Sequence, residues 1–224
     1  MKIFNISKQY GDFLLKIDNL SLPKGNIFGF IGHNGCGKTT LSKIISGISM
    51  PDSGNIDYAD IDKKGITFVP KKPYMLHSSV FNNLVYPLKL RKIKYDGKLI
   101  DYYLGLANLS HMRNKYARDL SSGETQKLGM IRAFIFNPKV IIIDESLSNM
   151  DIKSQVVFEE HIQELNKTKN TTFIVISHDL SIIKRLCNSI YFLEKGKIIC
   201  NGSKDEVFQN NTNSVLAEFL QHMT

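Results

Sequence analysis

Eight residues, Gly32-His33-Asn34-Gly35-Cys36-Gly37-Lys38-Thr39, constrain this chain more than any other stretch, because they spell G-x-x-x-x-G-K-[ST] in a setting that gives the spacing meaning. Before them, residues 26–31 read as a buried strand; after them, Leu41, Ile44, Ile45 and Ile48 recur at helical spacing. Glycines in a strand-to-helix turn let backbone N–H groups point at an anion, and the helix that follows presents its positive end. In such a loop Lys38 reaches the β/γ-phosphates of a nucleotide and the Thr39 hydroxyl ligates Mg²⁺. The expected nucleotide-binding set is therefore Gly32, His33, Asn34, Gly35, Cys36, Gly37, Lys38 and Thr39, with Thr40 in the first helical turn.

The rest of the chain alternates strand-like and helix-like stretches, as an α/β domain does. Up to about Leu22, short β-rich runs ending at the turn Pro23-Lys24-Gly25 predict an antiparallel edge. From about residue 73 to 138 the pattern turns helical, with helices over 80–90 and 99–106 and a third from about Ser122, whose Leu128, Ile131 and Ile135 share a face. Residues 140–143, Val-Ile-Ile-Ile, form an apolar run without alternation, as expected of a strand covered on both faces, and 172–177 repeat the signal. Residues 190–193 and 197–200 flank Lys195-Gly196 as a hairpin, and 214–221 read as a last helix. The expected architecture is one domain over 1–224, a phosphate-loop core with an N-terminal antiparallel β subdomain and a helical subdomain inserted at about 73–138.

With 224 residues, 42% of them hydrophobic, the chain can bury a sizeable core. Its longest apolar runs are far shorter than the about 20 residues a bilayer needs. Met1-Lys2-Ile3-Phe4-Asn5 turns polar before a secretory signal can develop, so the expected compartment is the cytosol. Cys36, Cys187 and Cys200 have no pairing or zinc-site spacing and read as reduced thiols. The net charge of +8 is concentrated: between Lys63 and Lys98 stand nine Lys or Arg against one acid, Asp96. A solvated face, nucleic acid and anionic lipid headgroups are the three readings of that window.

The strand at 140–143 runs into Asp144-Glu145, placing two carboxylates at the carboxyl edge of the sheet, where folds of this class bind ligands. Asp144 is expected to hold Mg²⁺ through water and Glu145 to act as a general base. Between the phosphate loop and these acids lies Leu120-Ser121-Ser122-Gly123-Glu124-Thr125-Gln126, which resembles the signature sequence of the ABC ATPases, LSGGQ or LSGGE followed by a glutamine. The resemblance extends over nearly the whole chain. Tyr10 matches the aromatic that stacks on adenine, Ser148-Asn149-Met150-Asp151 the D-loop with Asp151, and Ser177-His178-Asp179 the switch histidine.

That resemblance implies the ABC ATPase fold, hydrolysis of ATP with Mg²⁺, and a role for His178 in bonding the γ-phosphate and orienting water. It implies a second ATP-binding subunit, because Ser121, Ser122, Gly123 and Glu124 in this family close over the ATP held by the opposite copy; a homodimer is expected. It further implies a transmembrane permease and an extracytoplasmic solute-binding protein, with the chain peripheral on the cytoplasmic face of the membrane. Ser122 replaces a signature glycine and Ser146 the proline that often follows the glutamate, both small changes. Phe68-Val69-Pro70-Lys71 aligns with the family's Q-loop and puts lysine where a glutamine ligates Mg²⁺. Lacking a lone pair, Lys71 is expected near the γ-phosphate in the closed dimer, or turned outward to an acid of the membrane partner.

Residues 114–119 lack the acidic-glycine segment that resembling exporters carry before the signature, so the expected direction is import, with an exporter subunit as the alternative. Residues 75–88 look most like subunits serving tungstate or molybdate uptake. A nucleotide-gated clamp on DNA or ribosomes would carry a coiled-coil insertion or two ATPase domains, neither of which is here, so no nucleic acid partner is expected. A regulatory module that binds ATP without cleaving it would lack the base or the switch histidine.

Overall fold

Two sheets share one layer of side chains. In the computed structural model, which describes residues 1–209 and 213–222, β1 (Lys2–Tyr10) and β2 (Phe13–Ser21) pair antiparallel from Lys2 opposite Ser21 to Tyr10 opposite Phe13. The last two positions of the expected 1–224 domain lie outside the described residues. A polar strand, β4 (Ser53–Asp57), adds to the far side of β1. The second sheet has six strands in the order β5 (Ile66–Val69), β6 (Val140–Asp144), β7 (Thr172–Ile176), β3 (Ile27–Ile31), β8 (Ser189–Glu194) and β9 (Lys197–Ser203). All are parallel except β9, which returns along β8 as the expected hairpin.

Every residue of β3, β6 and β7 is buried, which is why their sequences show no alternation. On one face Phe28, Phe30 and Ile174 meet Ile3 and Leu15 of the small sheet and Leu41 of α1 (Lys38–Ile45). On the other, Ile143 and Val175 meet Leu84, Ile131, Phe134 and Phe158 from the helices. Because β6, β7 and β3 are neighbours and run the same way, the loops after Asp144, Ile176 and Ile31 open side by side on one edge.

The expected helices between β5 and β6 are α2 (Val80–Leu90), α3 (Gly97–Leu106) and α4 (Ser122–Phe134). Asp96 caps α3 by accepting from Leu99 N at 2.9 Å, which starts it two residues before its apolar face does. Asn83, buried in α2, bonds the backbone at Leu76, Ser78 and Ser79 and so fixes the loop that precedes the helix. Two expectations change. Helix α1 stops at Ile45 because Gly47 turns to φ 75°, leaving Ile48 outside the helix and 61% exposed. The apolar pattern also omits α5 (Ile152–Lys169), an 18-residue helix with few buried apolar positions, and α6 (Leu180–Leu186). The remaining helices are α7 (Lys204–Phe208) and α8 (Ser214–His222). Among the described residues no helix is long and apolar enough to cross a membrane.

One buried histidine joins α3 to α5. His161 packs edge-on to Tyr103 at 5.8 Å and lies 5.3 Å from the Phe134 ring; its Nδ1 is 3.1 Å from Glu164 Oε2, and its Nε2 is buried with no partner. Burial holds its pKa below the ordinary 6.5, against the opposing pull of Glu164. The unfolded chain therefore takes up this proton at a higher pH than the folded one, and folded stability falls as pH drops from about 6.5 toward the depressed value, by about 1.4 kcal/mol per unit of difference. Thermal unfolding at about pH 7.5 and about pH 5.5 checks this: His161→Phe, which fits the aromatic surroundings, is expected to lose less stability on acidification than the wild type. An equal loss would assign the acid sensitivity to other groups.

Candidate nucleotide site

The phosphate loop is shaped by two glycines. At Gly32, φ is 143° and a Cβ would come 2.1 Å from the Leu193 carbonyl oxygen, so a side chain cannot pass where β3 leaves the sheet. Gly37, at φ 110°, heads α1 without a side-chain cap, leaving the first-turn N–H groups for an anion. The buried Lys38 folds over the loop, its Nζ donating to the carbonyls of Gly32 at 2.6 Å and His33 at 2.9 Å. Asn34 and Gly35 are exposed, and Thr40 is half-buried. The His33 ring turns to Glu194, 2.8 Å away, and stands edge-on against Phe219 of α8 at 5.0 Å. Cys36 is a buried thiol whose pKa burial pushes up.

At the end of β6, Thr39 Oγ1 donates to Asp144 Oδ2 at 2.8 Å. Burial pushes the Asp144 carboxyl above its ordinary range, with the Thr39 bond opposing and Glu145 adding to the rise. A hydroxyl and a carboxylate, two hard oxygen donors side by side, suit Mg²⁺, which is usually held by one or two protein oxygens, substrate phosphates and waters. Among the described residues no three His, Cys, Asp or Glu converge into a protein-only cage.

Glu145 follows Asp144 with φ 57°, a left-handed conformation that costs a non-glycine residue about 1 to 3 kcal/mol. Two bonds hold it: its N–H donates to the Ile176 carbonyl at 2.9 Å, and Asn149 Nδ2 donates to its carbonyl at 2.9 Å. The turn aims the carboxylate across the sheet edge, where Oε2 lies 2.5 Å from His178 Nδ1 and 3.2 Å from Lys71 Nζ. The Lys71 ammonium thus rests on an acid of its own chain. Its loop is fastened from two sides, since Ser146 Oγ donates to the Pro70 carbonyl at 3.0 Å and Gln126 Nε2 to the Lys71 carbonyl. The serine that replaces a family proline therefore ties the loop down.

The signature segment begins α4 with a capping box. Ser121 Oγ accepts from Glu124 N at 3.3 Å, and Ser121 N donates to Glu124 Oε2 at 2.8 Å. Ser122 and Gly123 follow in the first turn, and a Cβ at Gly123 would meet nothing within 4 Å. Among the described residues no hydrogen bond or ion pair joins residues 120–124 to residues 32–40. Asp151 caps α5 through Ser154 N at 2.9 Å, and Ser148 and Ser177 share a 2.9 Å hydroxyl contact that joins the D-loop to the loop of His178. Tyr10, at the end of β1, is 53% exposed, and its OH lies 3.4 Å from Ser49 Oγ. Reading the sequence missed the bonds of Ser146, Asn149 and Gln126, because a polar residue's partner across the fold leaves no local pattern.

A family model described as ABC transporter matches residues 15–148. The chain belongs to that family. This ABC ATPase is 37% identical over 206 residues to the tungstate uptake system ATP-binding protein of Peptoclostridium acidaminophilum, covering 88% of this chain and 95% of that protein. It is 31% identical over 239 residues to the methionine import ATP-binding protein of Chlamydia pneumoniae, covering 97% of this chain and 70% of that one. Its fold matches a solved ATP-binding subunit of an ABC transporter with TM-score 0.84 over 99% of this chain and 98% of that one, at 21% identity.

Proposed function

We propose that this ABC ATPase powers uptake of an oxyanion of the tungstate class through a separate permease, as one half of a head-to-tail homodimer at the cytoplasmic face of the membrane. The catalytic part of the reading rests on one observation, the 2.5 Å contact of Glu145 with His178 on the sheet edge that also carries the phosphate loop. Direction and cargo rest on the likeness to a tungstate uptake protein along nearly its full length. An extracytoplasmic solute-binding protein delivers the cargo, and the chain works as a single cassette over 1–224 with its helical subdomain at about 73–138.

In this reading ATP lies along residues 32–40 with its adenine on Tyr10, and Lys38 exchanges two backbone carbonyls for the β/γ-phosphates. Thr39 and, through water, Asp144 would hold Mg²⁺, which would supply positive charge against the phosphate oxygens. Glu145 accepts the proton of the water whose oxygen bonds to the γ-phosphorus as the bond to the β-bridging oxygen breaks. His178 orients that carboxylate and bonds the γ-phosphate. Ser121 and the N–H groups of Ser122 and Gly123 face the γ-phosphate of the second copy, which accounts for a signature segment with no bond to its own phosphate loop. Asp151 lies on the same dimer face.

The permease docks between α2 and α4, where Phe68, Tyr74, Tyr86, Leu90 and Phe136 line a cavity of about 300 Å³ beside the Lys71 loop. Arg91 belongs to the basic window in sequence but is committed to the fold: its guanidinium stacks 3.8 Å from the Phe136 ring and donates to the Lys64 and Pro87 carbonyls. Lys89 and Lys92 are exposed, and each adds about 1 kcal/mol of attraction where anionic lipid is near. The double reversal Lys89→Glu and Lys92→Glu is expected to reduce co-purification of the permease while leaving ATP hydrolysis by the isolated chain within about twofold. Unchanged co-purification would return the basic window to a solvated face. Tungstate-dependent ATP hydrolysis by the reconstituted system tests the cargo; stimulation by methionine and not tungstate would contradict it.

A further inference from the structure

We propose that Lys71 is a positioning residue that restrains Glu145: its ammonium occupies the carboxylate while its backbone carbonyl is held by the signature helix, so that movement of the helix sets the base free. The proposal rests on the reading of Glu145 as the base.

Three observations meet at this residue. First, Lys71 Nζ at 3.2 Å and His178 Nδ1 at 2.5 Å share one oxygen, Oε2 of Glu145. Two donors on Oε2 fix the orientation of the carboxylate, so that while both are in place it meets a water only through Oε1. His178 orients the carboxylate in either case; Lys71 is the second contact on that oxygen, and its release lets the carboxylate turn.

Second, the loop carrying Lys71 is coupled to α4. Gln126, buried one turn beyond the signature, donates to the Lys71 carbonyl, and a Cβ at Gly129 one turn further would fall 2.5 Å from Pro73 Cγ. A hydrogen bond and a contact without slack thus join the same face of α4 to residues 71–73. Any displacement of α4 relative to β6, such as closure on a second copy or engagement by a permease, acts on Lys71 through that face. The signature segment and the base, at the N-terminus of α4 and the end of β6, are connected through this side chain.

Third, the restraint is weak enough to release. The Lys71 side chain is 57% exposed, so its ammonium loses little solvation at Glu145 and recovers it on leaving. A glutamine at this position would carry no charge to set against the carboxylate, so lysine gives this chain a brake that the family's usual residue does not supply.

The test uses the full chain with ATP and Mg²⁺ and compares steady-state hydrolysis by wild type, Lys71→Met and Lys71→Arg, with Glu145→Gln alongside. Lys71→Met is expected to raise kcat about two- to fivefold, the effect of losing a partly exposed ion pair, and to leave KM for ATP within about twofold, since the restraint acts on the base and not on nucleotide binding. Lys71→Arg, which keeps the cation, is expected to stay near the wild-type kcat. A kcat for Lys71→Met that is unchanged or lower would overturn the proposal, as would an equal rise in Lys71→Arg; a fall would make Lys71 a phosphate contact instead. Full turnover in Glu145→Gln would overturn the reading of the base itself, an outcome separate from the behaviour of the Lys71 variants.

Discussion

Glu145→Gln is expected to bind ATP as the wild type does and to hydrolyse it about 10² to 10⁴ times more slowly, the usual contribution of a positioned general base. The substitution preserves the shape of the side chain and the backbone that presents it. Glutamine can take the same left-handed φ of 57° after β6, and the bonds from Glu145 N to Ile176 and from Asn149 to the Glu145 carbonyl involve only the main chain of residue 145. What is lost is the group that accepts the proton. Steady-state ATPase rates and ATP titration of the purified variant separate the two effects; a loss of less than about tenfold would remove Glu145 from the reaction.

Gly123→Asp is expected to abolish turnover almost as completely, by a different route. A side chain at Gly123 meets nothing within 4 Å in its own chain, and an acid in the first turn of α4 suits the positive end of the helix, so the variant folds with undiminished stability. In the proposed dimer the new carboxylate stands where the second copy presents its γ-phosphate. Like unit charges about 4 Å apart at an effective dielectric of about 20 repel by roughly 4 kcal/mol, close to a thousandfold against closure. ATP binding to the separate chains should be unaffected. Retained turnover would mean that the signature segment does not approach a phosphate.

The parts of this molecule legible in sequence are those whose signal is local. Residues 32–39 declare themselves by spacing, and Val140 to Ile143 by an unbroken run of branched apolar residues that a parallel sheet then buries completely. Helix α5 is hidden because Phe158, Ile162 and Leu165 carry its buried apolar face across 18 residues, most of them polar. The strand end pointed to Glu145 and the resemblance to a known family to His178, yet neither gave the left-handed turn that brings them together, which depends on Ile176 and Asn149. Lys71 drew notice as a departure, but its contact with Glu145 spans 74 positions and follows from how β5 lies against β6. Arg91 shows the converse: its charge counts toward the basic window at 63–98, and its stacking on Phe136 commits it to the fold.

Two shared ATP sites in a head-to-tail dimer are the central claim, and the mass of the chain in solution tests it most directly. Light scattering on Glu145→Gln with ATP and Mg²⁺ should give twice the 25.5 kDa of one chain, because ATP that is bound and not cleaved holds the two copies together. Adding Gly123→Asp to that variant should return the mass to 25.5 kDa while ATP stays bound to each chain. A Glu145→Gln chain that remains monomeric with ATP, or a dimer indifferent to Gly123→Asp, would contradict the account.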